Sequence, residues 1–303
     1  MSDPQWPTAD HWLKGASTGV HARRLGVIGV PLSLTSISPS NAQTTPAAVR
    51  RALGRFSTFH AGVGVDLEDL YVVDHGDLDV AALLGDDALQ AVTHGVAGLP
   101  AQDLLIVLGG DNAVTRPSMR ALLPDLSRAG LLTLDAHHDV RSFFMGPTNG
   151  TPVRGLIEDG LPGSQVVQVG LGDLSNSREY NSWCRENGVT SVTARAAQRE
   201  GVGAAVRRCL DELARTCDDL YVDLDVDVVD RAFAPACPGA RPGGLSPAEL
   251  LDAALEAGRH TSVRAVDIVE VDAVADRDGI TVDLAAMCLL TAAAGLLARP
   301  PLS

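Results

Sequence analysis

Aromatic residues and positive charge are scarce in this sequence of 303 residues. Aromatic side chains make up 4 % of the chain, whereas hydrophobic residues make up 46 %. The core must therefore be built from Ala, Val and Leu, a composition that suits buried parallel strands flanked by Ala-rich helices. The formal net charge is -14. It argues against nucleic-acid binding, which needs clustered Lys and Arg, and against adsorption to anionic membranes.

Cysteine pairs with the close spacing of metal or redox motifs are also missing. The five cysteines are scattered along the chain, at Cys184, Cys209, Cys217, Cys237 and Cys288. We therefore expect reduced, mostly buried thiols in a cytosolic protein. The chain opens on a polar segment with two prolines, so we expect no signal peptide. We find no apolar run of the roughly 18 to 20 residues that a membrane span needs, and so expect no transmembrane helix.

What the sequence has instead is a regular alternation of apolar segments with segments of helical spacing. Eight apolar segments are predicted to be strands: residues 25–32, 70–80, 103–114, 130–140, 164–174, 188–197, 218–230 and 263–274. The first predicted helix begins at Thr44 or Thr45 and has Pro46 in its first turn. Another is predicted around residues 86–97, and a third for about ten residues after Pro117. Two more are predicted over residues 203–216 and 247–258. This alternation indicates a parallel sheet with helices on both faces. We predict an α/β fold with a single domain over residues 25–303, after a loosely structured N-terminal arm over residues 1–24.

Polar clusters follow four of the predicted strands, at the edge where an open parallel sheet places its ligand site. Asp111 and Asn112 end the third strand, and the stretch DAHHD at residues 135–139 ends the fourth. The seventh carries DLDVDVVD at residues 223–230, and Glu270 follows in the eighth. One aspartate at a strand end is usually a helix cap or loop residue. The coincidence of several clusters on successive strands points to a metal site instead.

Three aspartates of the seventh strand alternate along the chain, Asp223, Asp225 and Asp227. In a strand they would all point to the same side, where ionised carboxylates repel each other strongly in a medium of low dielectric constant. A divalent cation, or two of them, removes this conflict. Carboxylate plus imidazole is a ligand set that suits Mn²⁺, Zn²⁺ or Fe²⁺. Because the cluster is rich in aspartate and has few histidines, we favour Mn²⁺.

The stretches GGDN, DAHHD and DVDVVD resemble the three signatures of the ureohydrolase superfamily, which comprises arginases, agmatinases and formiminoglutamases. Those signatures read GGDH, DAHxD and SxDxDxxDPxxxP, and this chain carries its versions in the same order. The resemblance runs from Gly26 to about Leu296. It implies a three-layer α/β/α fold with an eight-stranded, mostly parallel sheet, which agrees with the strands predicted from the apolar segments.

Four further stretches are similar to formiminoglutamases rather than to the other branches. Residues 139–154 (DVRSFFMGPTNGTPVR) resemble the DLR…SGTPFR loop, and residues 170–180 (GLGDLSNSREY) resemble GIQxxxNSxxY. Residues 233–247 (FAPACPGARPGGLSP) are similar to FAPGVSAPAPGGL, and residues 270–286 (EVDAVADRDGITVDLAA) to the ending EVNPxxDRDxxTAxLAA. A formiminoglutamase is therefore the branch that the sequence favours.

The resemblance also implies a two-metal centre with six ligands. By this resemblance, Asp135 and Asp225 would each bridge two Mn²⁺ ions. Asn112 and Asp139 would complete the ligands of one ion, and His137 and Asp227 would complete those of the other.

Several positions depart from the family pattern. Asn112 stands where the family has a histidine ligand, so the ion beside it is expected to bind weakly or to be absent. His138 occupies a variable position and should point away from His137, so we do not expect it to act as a substitute ligand. Asp223 replaces a small residue, and we place it behind the ligands. Arg231 replaces a proline, which affects loop geometry only.

By resemblance, the reaction is the hydrolysis of a linear amidine C–N bond. The water bridged through Asp135 and Asp225 would ionise near neutral pH and attack the amidine carbon. Glu270 matches the glutamate that contacts the cationic substrate nitrogens, and these three residues form the expected catalytic set. The favoured substrate is N-formimino-L-glutamate, which would give L-glutamate and formamide.

Formiminoglutamate carries two carboxylates, so its pocket needs cations, and the bidentate fork of arginine suits carboxylates. Arg141 and Arg154 flank the stretch that corresponds to the substrate loop, with Asn149 and Thr151 between them, and Arg241 lies in the glycine-rich turn after the seventh strand. We take these five as candidate substrate-binding residues. Residues 38–46 would either line the pocket as well or form a long structural loop.

Other functions remain open at this stage. An agmatinase or another guanidino-acid hydrolase would share the metal ligands, but agmatine has no carboxylate and would favour an acidic pocket. A degenerate member of the fold, left with a binding or oligomer-partner role, would explain Asn112 but not the five ligand positions that are intact. In each case we expect a cytoplasmic homo-oligomer that binds a small-molecule amidine, and neither nucleic acid nor a membrane.

Overall fold

The central layer of the protein is an eight-stranded sheet in the order β4-β1-β5-β10-β9-β6-β7-β8. The computed structural model describes residues 5–15 and 23–300. All neighbouring strands in this sheet pair in parallel. Its strands are β1 (Arg24–Val30), β4 (Tyr71–Asp77), β5 (Leu104–Gly109), β6 (Ala129–Leu134), β7 (Val166–Leu171), β8 (Thr190–Thr193), β9 (Asp219–Asp225) and β10 (Val263–Val269). The eight predicted strands are confirmed, and the sheet is fully rather than mostly parallel.

Ten α-helices are present in the described residues, and most of them cover the two faces of the sheet. They are α1 (Ala9–Leu13), α2 (Thr45–Ala52), α3 (Gly85–Ala97), α4 (Thr115–Leu122), α5 (Pro152–Glu158), α6 (Arg178–Glu186), α7 (Ala194–Glu200), α8 (Val202–Leu213), α9 (Pro247–Arg259) and α10 (Ile280–Leu297). Buried side chains of α3 to α6 belong to one hydrophobic core, and those of α1, α2 and α7 to α10 belong to the other. The sheet lies between these two cores, which gives the three-layer α/β/α arrangement that the resemblance implies.

Local sequence signals explain where several helices begin. Pro247 lies in the first turn of α9, and Ser246 and Glu249 form a reciprocal capping box there. Pro46 likewise lies in the first turn of α2, with Thr44 as the N-cap, although the Thr44 side chain makes no capping hydrogen bond. Helix α4 has eight residues and includes Pro117 in its first turn, so it begins earlier and is shorter than predicted.

Two short elements were not predicted. Strands β2 (Phe59–His60) and β3 (Val65–Asp66) form a separate antiparallel hairpin. With two residues each, they are too short to show the alternation that identifies a strand in a sequence.

Part of the predicted N-terminal arm is folded onto the domain. Helix α1 lies within it, and Trp12 and Leu13 are 2 % and 4 % exposed in the core that also contains α2. Residues 9–13 are therefore not loosely structured. Residues 1–4 and 16–22 of the predicted arm lie outside the described residues.

Helix α10 corrects the expectation about apolar length. Its 18 residues are long and apolar enough to cross a membrane, and it is the single helix of that kind found in the described residues. However, 78 % of this segment is buried inside the protein, as in the core helix of a globular domain. The uninterrupted apolar run is shorter than the helix because Asp283 interrupts it in the first turn without ending the helix.

The cysteines agree with the prediction made from their spacing. All five are free and buried. Burial raises the pKa of Cys184 and of Cys288 to about 12. Both thiols therefore stay protonated and unreactive at neutral pH.

Candidate active site

Four neighbouring strands in the middle of the sheet, β5, β10, β9 and β6, bring the predicted polar clusters to one edge. Asn112 lies in a short turn after β5, and residues 135–139 follow β6 directly. Asp225 is the last residue of β9, and Glu270 comes directly after β10. Because the strands are parallel, these carboxyl ends lie at the same edge of the sheet. The topology therefore places the clusters of all four segments in one site.

Short turns set the direction of the aspartate side chains. The Asp225 carboxylate accepts a hydrogen bond of 2.8 Å from the backbone N–H of Asp227. This bond caps a 3-10 turn over Val226–Val228. Asp227 thus lies beyond the end of β9, and the prediction that it belongs to the strand with Asp223 and Asp225 is wrong in that detail. After β6, Asp135 accepts a hydrogen bond of 2.6 Å from the N–H of His137 in the same way. Each turn folds a second ligand back towards the first.

Asp135, His137 and Asp227 form a cluster whose ligand atoms all lie within 4.8 Å of one another. Nδ1 of His137 is 3.0 Å from Oδ2 of Asp227 and 3.3 Å from Oδ1 of Asp135. Both carboxylates are buried, at 1 % exposure for Asp135 and 4 % for Asp227. Two carboxylates and one imidazole in this arrangement have the chemistry and spacing to hold a divalent transition-metal ion.

Beside this cluster lies a second group of potential ligands, formed by Asn112, Asp139 and Asp225. The side-chain amide Nδ2 of Asn112 donates to Oδ2 of Asp139 at 2.9 Å and to Oδ2 of Asp225 at 3.3 Å. It also lies 3.4 Å from Oδ2 of Asp223, which is buried behind them. In this arrangement the amide N–H groups point at the carboxylates where a cation would otherwise neutralise them.

The electrostatics of the site fit a cation. Burial, together with repulsion from Asp227, raises the pKa of Asp135 to about 7 and that of Asp225 well above its usual range. Burial and repulsion from Asp135 act in the same direction on the pKa of Asp139. Burial opposes the charge of His137, but attraction to Asp227 and Asp135 outweighs it and raises the His137 pKa to about 12. The imidazolium thus supplies the positive charge that a metal ion would bring to these ligands.

Glu270 is held in an unusual backbone conformation at the wall of the site. Its φ of 66° lies in the left-handed region, which non-glycine residues seldom adopt. Its Oε1 accepts hydrogen bonds from the N–H of Asn112 at 2.8 Å and from Nδ2 of Asn149 at 2.9 Å. Burial, with repulsion from Asp111, raises the pKa of Glu270 to about 8. Such strain and pKa perturbation are concentrated at functional sites.

A cavity of about 300 Å³ opens above these residues. Its wall includes the five acidic and histidine side chains His137, Asp139, Asp225, Asp227 and Glu270. Arg141, Asn149 and Arg241 also line it, so three of the five candidate substrate-binding residues reach the cavity. Nη1 of Arg241 donates to the carbonyl oxygens of Pro238 at 3.0 Å and of Gly239 at 2.9 Å, which fixes one side of its guanidinium group.

The other two candidate substrate-binding residues do not line this cavity. Nε of Arg154 donates to Oε1 of Glu158 at 2.8 Å, and its guanidinium carbon lies 5.2 Å from the ring centroid of Trp183. Thr151 is 2 % exposed, and its hydroxyl donates to the carbonyl of Thr148 at 2.8 Å. Neither geometry supports direct contact with a substrate in the cavity.

Some cavity residues were not singled out in the sequence. The segment after β7 contributes Ser175, Asn176, Ser177 and Tyr180 to the wall. Asn176 also braces the DAHHD turn, because its Oδ1 accepts from the N–H of His138 at 2.8 Å. The similarity of residues 170–180 to a formiminoglutamase segment is the sequence signal that points to these residues.

The loop after β1 reaches the cavity, and the ring of His138 points elsewhere. Ile37 and Ser38 line the cavity, so the first part of this loop contributes to the pocket. Nδ1 of His138 makes a hydrogen bond of 2.7 Å with Oε1 of Gln168, and His138 is not part of the cluster with His137. Arg231 donates from Nη1 to the carbonyl oxygens of Cys237 at 3.3 Å and of Ala240 at 3.4 Å, so it stabilises the loop that carries Arg241.

The fold and the site together define a three-layer α/β/α protein with a carboxylate-rich candidate metal centre at the carboxyl ends of its central strands. A profile of the arginase family matches residues 23–295, and the chain belongs to this family. It is 37 % identical over 270 residues to a formimidoylglutamase of Halalkalibacterium halodurans, with 88 % of this chain and 85 % of that protein covered.

Solved structures give the same result for the fold. The formimidoylglutamase of Bacillus subtilis has a TM-score of 0.90 and 29 % identity, with 99 % of this chain and 95 % of that chain covered. A Trypanosoma cruzi formiminoglutamase solved with Mn²⁺ has a TM-score of 0.86 at 23 % identity, over 97 % of this chain and 100 % of that chain. At this identity the second likeness concerns the fold alone.

Proposed function

We propose that this protein hydrolyses the C–N bond of N-formimino-L-glutamate and releases L-glutamate and formamide. The observation that carries the proposal is a single cavity lined both by His137 and Asp227, which cluster with the buried Asp135, and by two arginines, Arg141 and Arg241. The first group suits a metal-assisted hydrolysis, and the arginines suit the carboxylates of the substrate. The similarity to formimidoylglutamases supports the same activity.

The proposed cofactor is a pair of Mn²⁺ ions. His137 and Asp227 would hold one ion and Asn112 and Asp139 the other, with Asp135 and Asp225 shared between them. Carboxylate oxygens and imidazole suit Mn²⁺, and the neutral amide of Asn112 makes its side the weaker one. When bound, such cations supply a water molecule that ionises near neutral pH.

The chain's own residues would then orient the amidine and assist the departure of its nitrogen. Glu270 lines the cavity, and a carboxylate there can accept hydrogen bonds from the cationic amidine nitrogens. Its pKa of about 8 reflects burial and repulsion from Asp111, and a cationic substrate would lower it again. In the overall reaction water adds to the formimino carbon, the bond to the glutamate nitrogen breaks, and that nitrogen leaves with a proton.

Arg141 and Arg241 favour a substrate with carboxylates over agmatine. Each guanidinium group can donate two parallel hydrogen bonds to a carboxylate. Agmatine offers no carboxylate, so the two arginines would meet its cationic end without compensation. A degenerate site is the third candidate. Its weakness is that five of the six expected ligand positions keep the residue types found in the family, with Asn112 as the one exception.

The discriminating experiment is a substrate panel with metal-stripped protein, with and without added Mn²⁺. N-formimino-L-glutamate, arginine, agmatine and guanidinobutyrate would be compared by kcat/KM. We expect formiminoglutamate to have the highest value and to depend on Mn²⁺. A higher kcat/KM for agmatine would assign the protein to the other branch, and no turnover of any of the four would favour the degenerate alternative.

A further inference from the structure

The hydroxyl of Thr115 is shared by two buried acceptors next to the candidate metal centre. Its Oγ1 lies 2.6 Å from Oδ1 of Asn112 and 2.8 Å from Oδ2 of Asp267. Thr115 is 1 % exposed and Asp267 is fully buried. A hydroxyl carries one hydrogen, so it cannot donate to both acceptors. One of the two short contacts therefore brings oxygen atoms together without a hydrogen between them.

The buried carboxylate of Asp267 has a second hydrogen-bond donor besides Thr115. Its Oδ2 also accepts a hydrogen bond of 2.9 Å from the hydroxyl of Tyr221. The residue lies in β10, in register with Asp223 of β9. Burial raises the pKa of Asp267 to about 6, while the hydrogen bonds from Thr115 and Tyr221 favour its charged form. A buried carboxylate gains more from a hydroxyl donor than a neutral amide oxygen does.

Turning the Asn112 amide by half a rotation resolves the conflict. Its oxygen and nitrogen ends have nearly the same shape, so both orientations fit the same space. In the turned orientation Nδ2 donates to Thr115 Oγ1, and the hydroxyl hydrogen is free to go to Asp267. Oδ1 then faces the carboxylates of Asp139 and Asp225, which is the side on which a cation would be held. An amide oxygen can ligate a cation there, whereas amide N–H groups would be repelled by it.

We propose that Thr115, anchored on Asp267, is a positioning residue that directs the carbonyl oxygen of Asn112 towards the metal centre. The inference rests on the proposed function, since it presumes that Asn112 faces a bound metal ion. A hydroxyl suits this role because it accepts from the amide and donates to Asp267 at the same time. In the metal-free protein it can donate to Asn112 instead, so the amide has a partner in both orientations.

The test is Mn²⁺ binding to metal-stripped protein, measured by the electron paramagnetic resonance signal of free Mn²⁺ and by calorimetry. Thr115→Val removes the hydroxyl and keeps the shape, while Thr115→Ser keeps the hydroxyl. We expect the weaker Mn²⁺ site to lose about 10- to 100-fold in affinity in Thr115→Val, which is the usual cost of losing a residue that orients a ligand. Thr115→Ser should stay near the wild-type affinity. Thr115→Ala provides a second variant without the hydroxyl if Thr115→Val fails to fold.

A second background separates positioning from a general structural effect. Asn112→Asp has oxygen at both ends of the side chain, so there is no wrong orientation to avoid. In that background Thr115→Val should change Mn²⁺ affinity far less than it does beside Asn112, and the difference is the coupling measured by a double-mutant cycle. The same loss in both backgrounds would overturn the positioning role.

The remaining outcomes separate this inference from the proposed function. If wild-type protein binds Mn²⁺ and Thr115→Val binds it with unchanged affinity at both sites, the role of Thr115 is wrong and the proposed function stands. If wild-type protein binds no Mn²⁺ at all, the proposed metal centre is wrong and the inference falls with it.

Discussion

The side-chain amide of Asn149 donates a hydrogen bond of 2.9 Å to Oε1 of Glu270. Oδ1 of the same amide accepts the backbone N–H of Ile37 at 3.0 Å. Asn149 therefore connects the loop after β1 to the glutamate at the wall of the cavity. The sequence suggested Asn149 as a substrate ligand, and the geometry adds a second role, because the position of the Glu270 carboxylate depends on this bond.

This relationship predicts the effect of Asn149→Ala. Without the amide, Glu270 loses one of its two hydrogen-bond donors and is no longer fixed relative to the amidine. We expect kcat for formiminoglutamate to fall by about 100-fold, the order of loss that follows a misplacement of about 1 Å. Asn187→Ala is a suitable control, because Asn187 is exposed at the end of α6, where it contacts the Trp183 carbonyl. Equal kinetics for Asn149→Ala and Asn187→Ala would contradict the assignment.

The shared carboxylates provide the test of the metal centre itself. Asp135→Ala or Asp225→Ala should abolish both activity and retention of Mn²⁺, because each residue is expected to contact both ions. Retention would be measured by elemental analysis after gel filtration. Asp173→Ala is the matched control, since Asp173 pairs with Arg195 at the surface. The site is wrongly assigned if either alanine variant keeps its metal and its activity.

Arg141 and Arg241 line the cavity, whereas Arg154 does not, and the KM of alanine variants tests this difference. Arg141→Ala and Arg241→Ala should raise KM for formiminoglutamate by about tenfold or more, because a hydrogen bond to a charged group contributes about 1.5–3 kcal/mol. Arg154→Ala should leave KM unchanged, because Arg154 is engaged with Glu158 and Trp183 instead of the cavity. A large KM effect of Arg154→Ala, with little effect of the other two, would reverse the substrate assignment.

The shifted pKa values predict how the stability of metal-free protein depends on pH. Glu270 and Asp135 have folded-state pKa values of about 8 and about 7, above their ordinary values, so the folded state binds more protons than the unfolded chain between about pH 4 and pH 8. His137, with a pKa of about 12, acts in the same direction above about pH 6.5. Asp227 has a lowered pKa, and its stabilising contribution is already complete in this range.

Raised folded-state pKa values mean that stability decreases as pH rises, so the Tm of metal-free protein should fall between pH 6 and pH 8. Added Mn²⁺ should reverse this trend, because deprotonated ligands bind metal better. Differential scanning calorimetry at several pH values, with and without Mn²⁺, tests this. A Tm of the metal-free protein that rises with pH over this range would contradict the charge balance described for the site.

The sequence predicted the sheet well because its strands are short, continuous apolar runs, such as the fully buried β5. It also predicted that polar residues would meet at the carboxyl ends, since that follows from parallel topology. The hairpin of β2 and β3 is too short for a periodic signal, and the position of Asp227 depends on a turn that starts only after β9 ends.

Side-chain direction was the part that the sequence did not contain. Arg154 flanks the substrate loop, yet its long side chain is drawn to Trp183, a residue of α6 that is distant in the chain. Thr115 was not singled out at all, because its importance arises from Asp267 on another strand. Contacts of this kind depend on tertiary packing, and no local pattern in the sequence marks them.

In the proposed function, a Mn²⁺-dependent site cleaves the amidine bond of N-formimino-L-glutamate. The most direct measurement is nuclear magnetic resonance of the reaction mixture, with metal-stripped protein to which Mn²⁺ is added stepwise. We expect equal amounts of glutamate and formamide, at a rate that increases with Mn²⁺ until the sites are filled. No release of glutamate at any Mn²⁺ concentration, from protein shown to be folded, would contradict it.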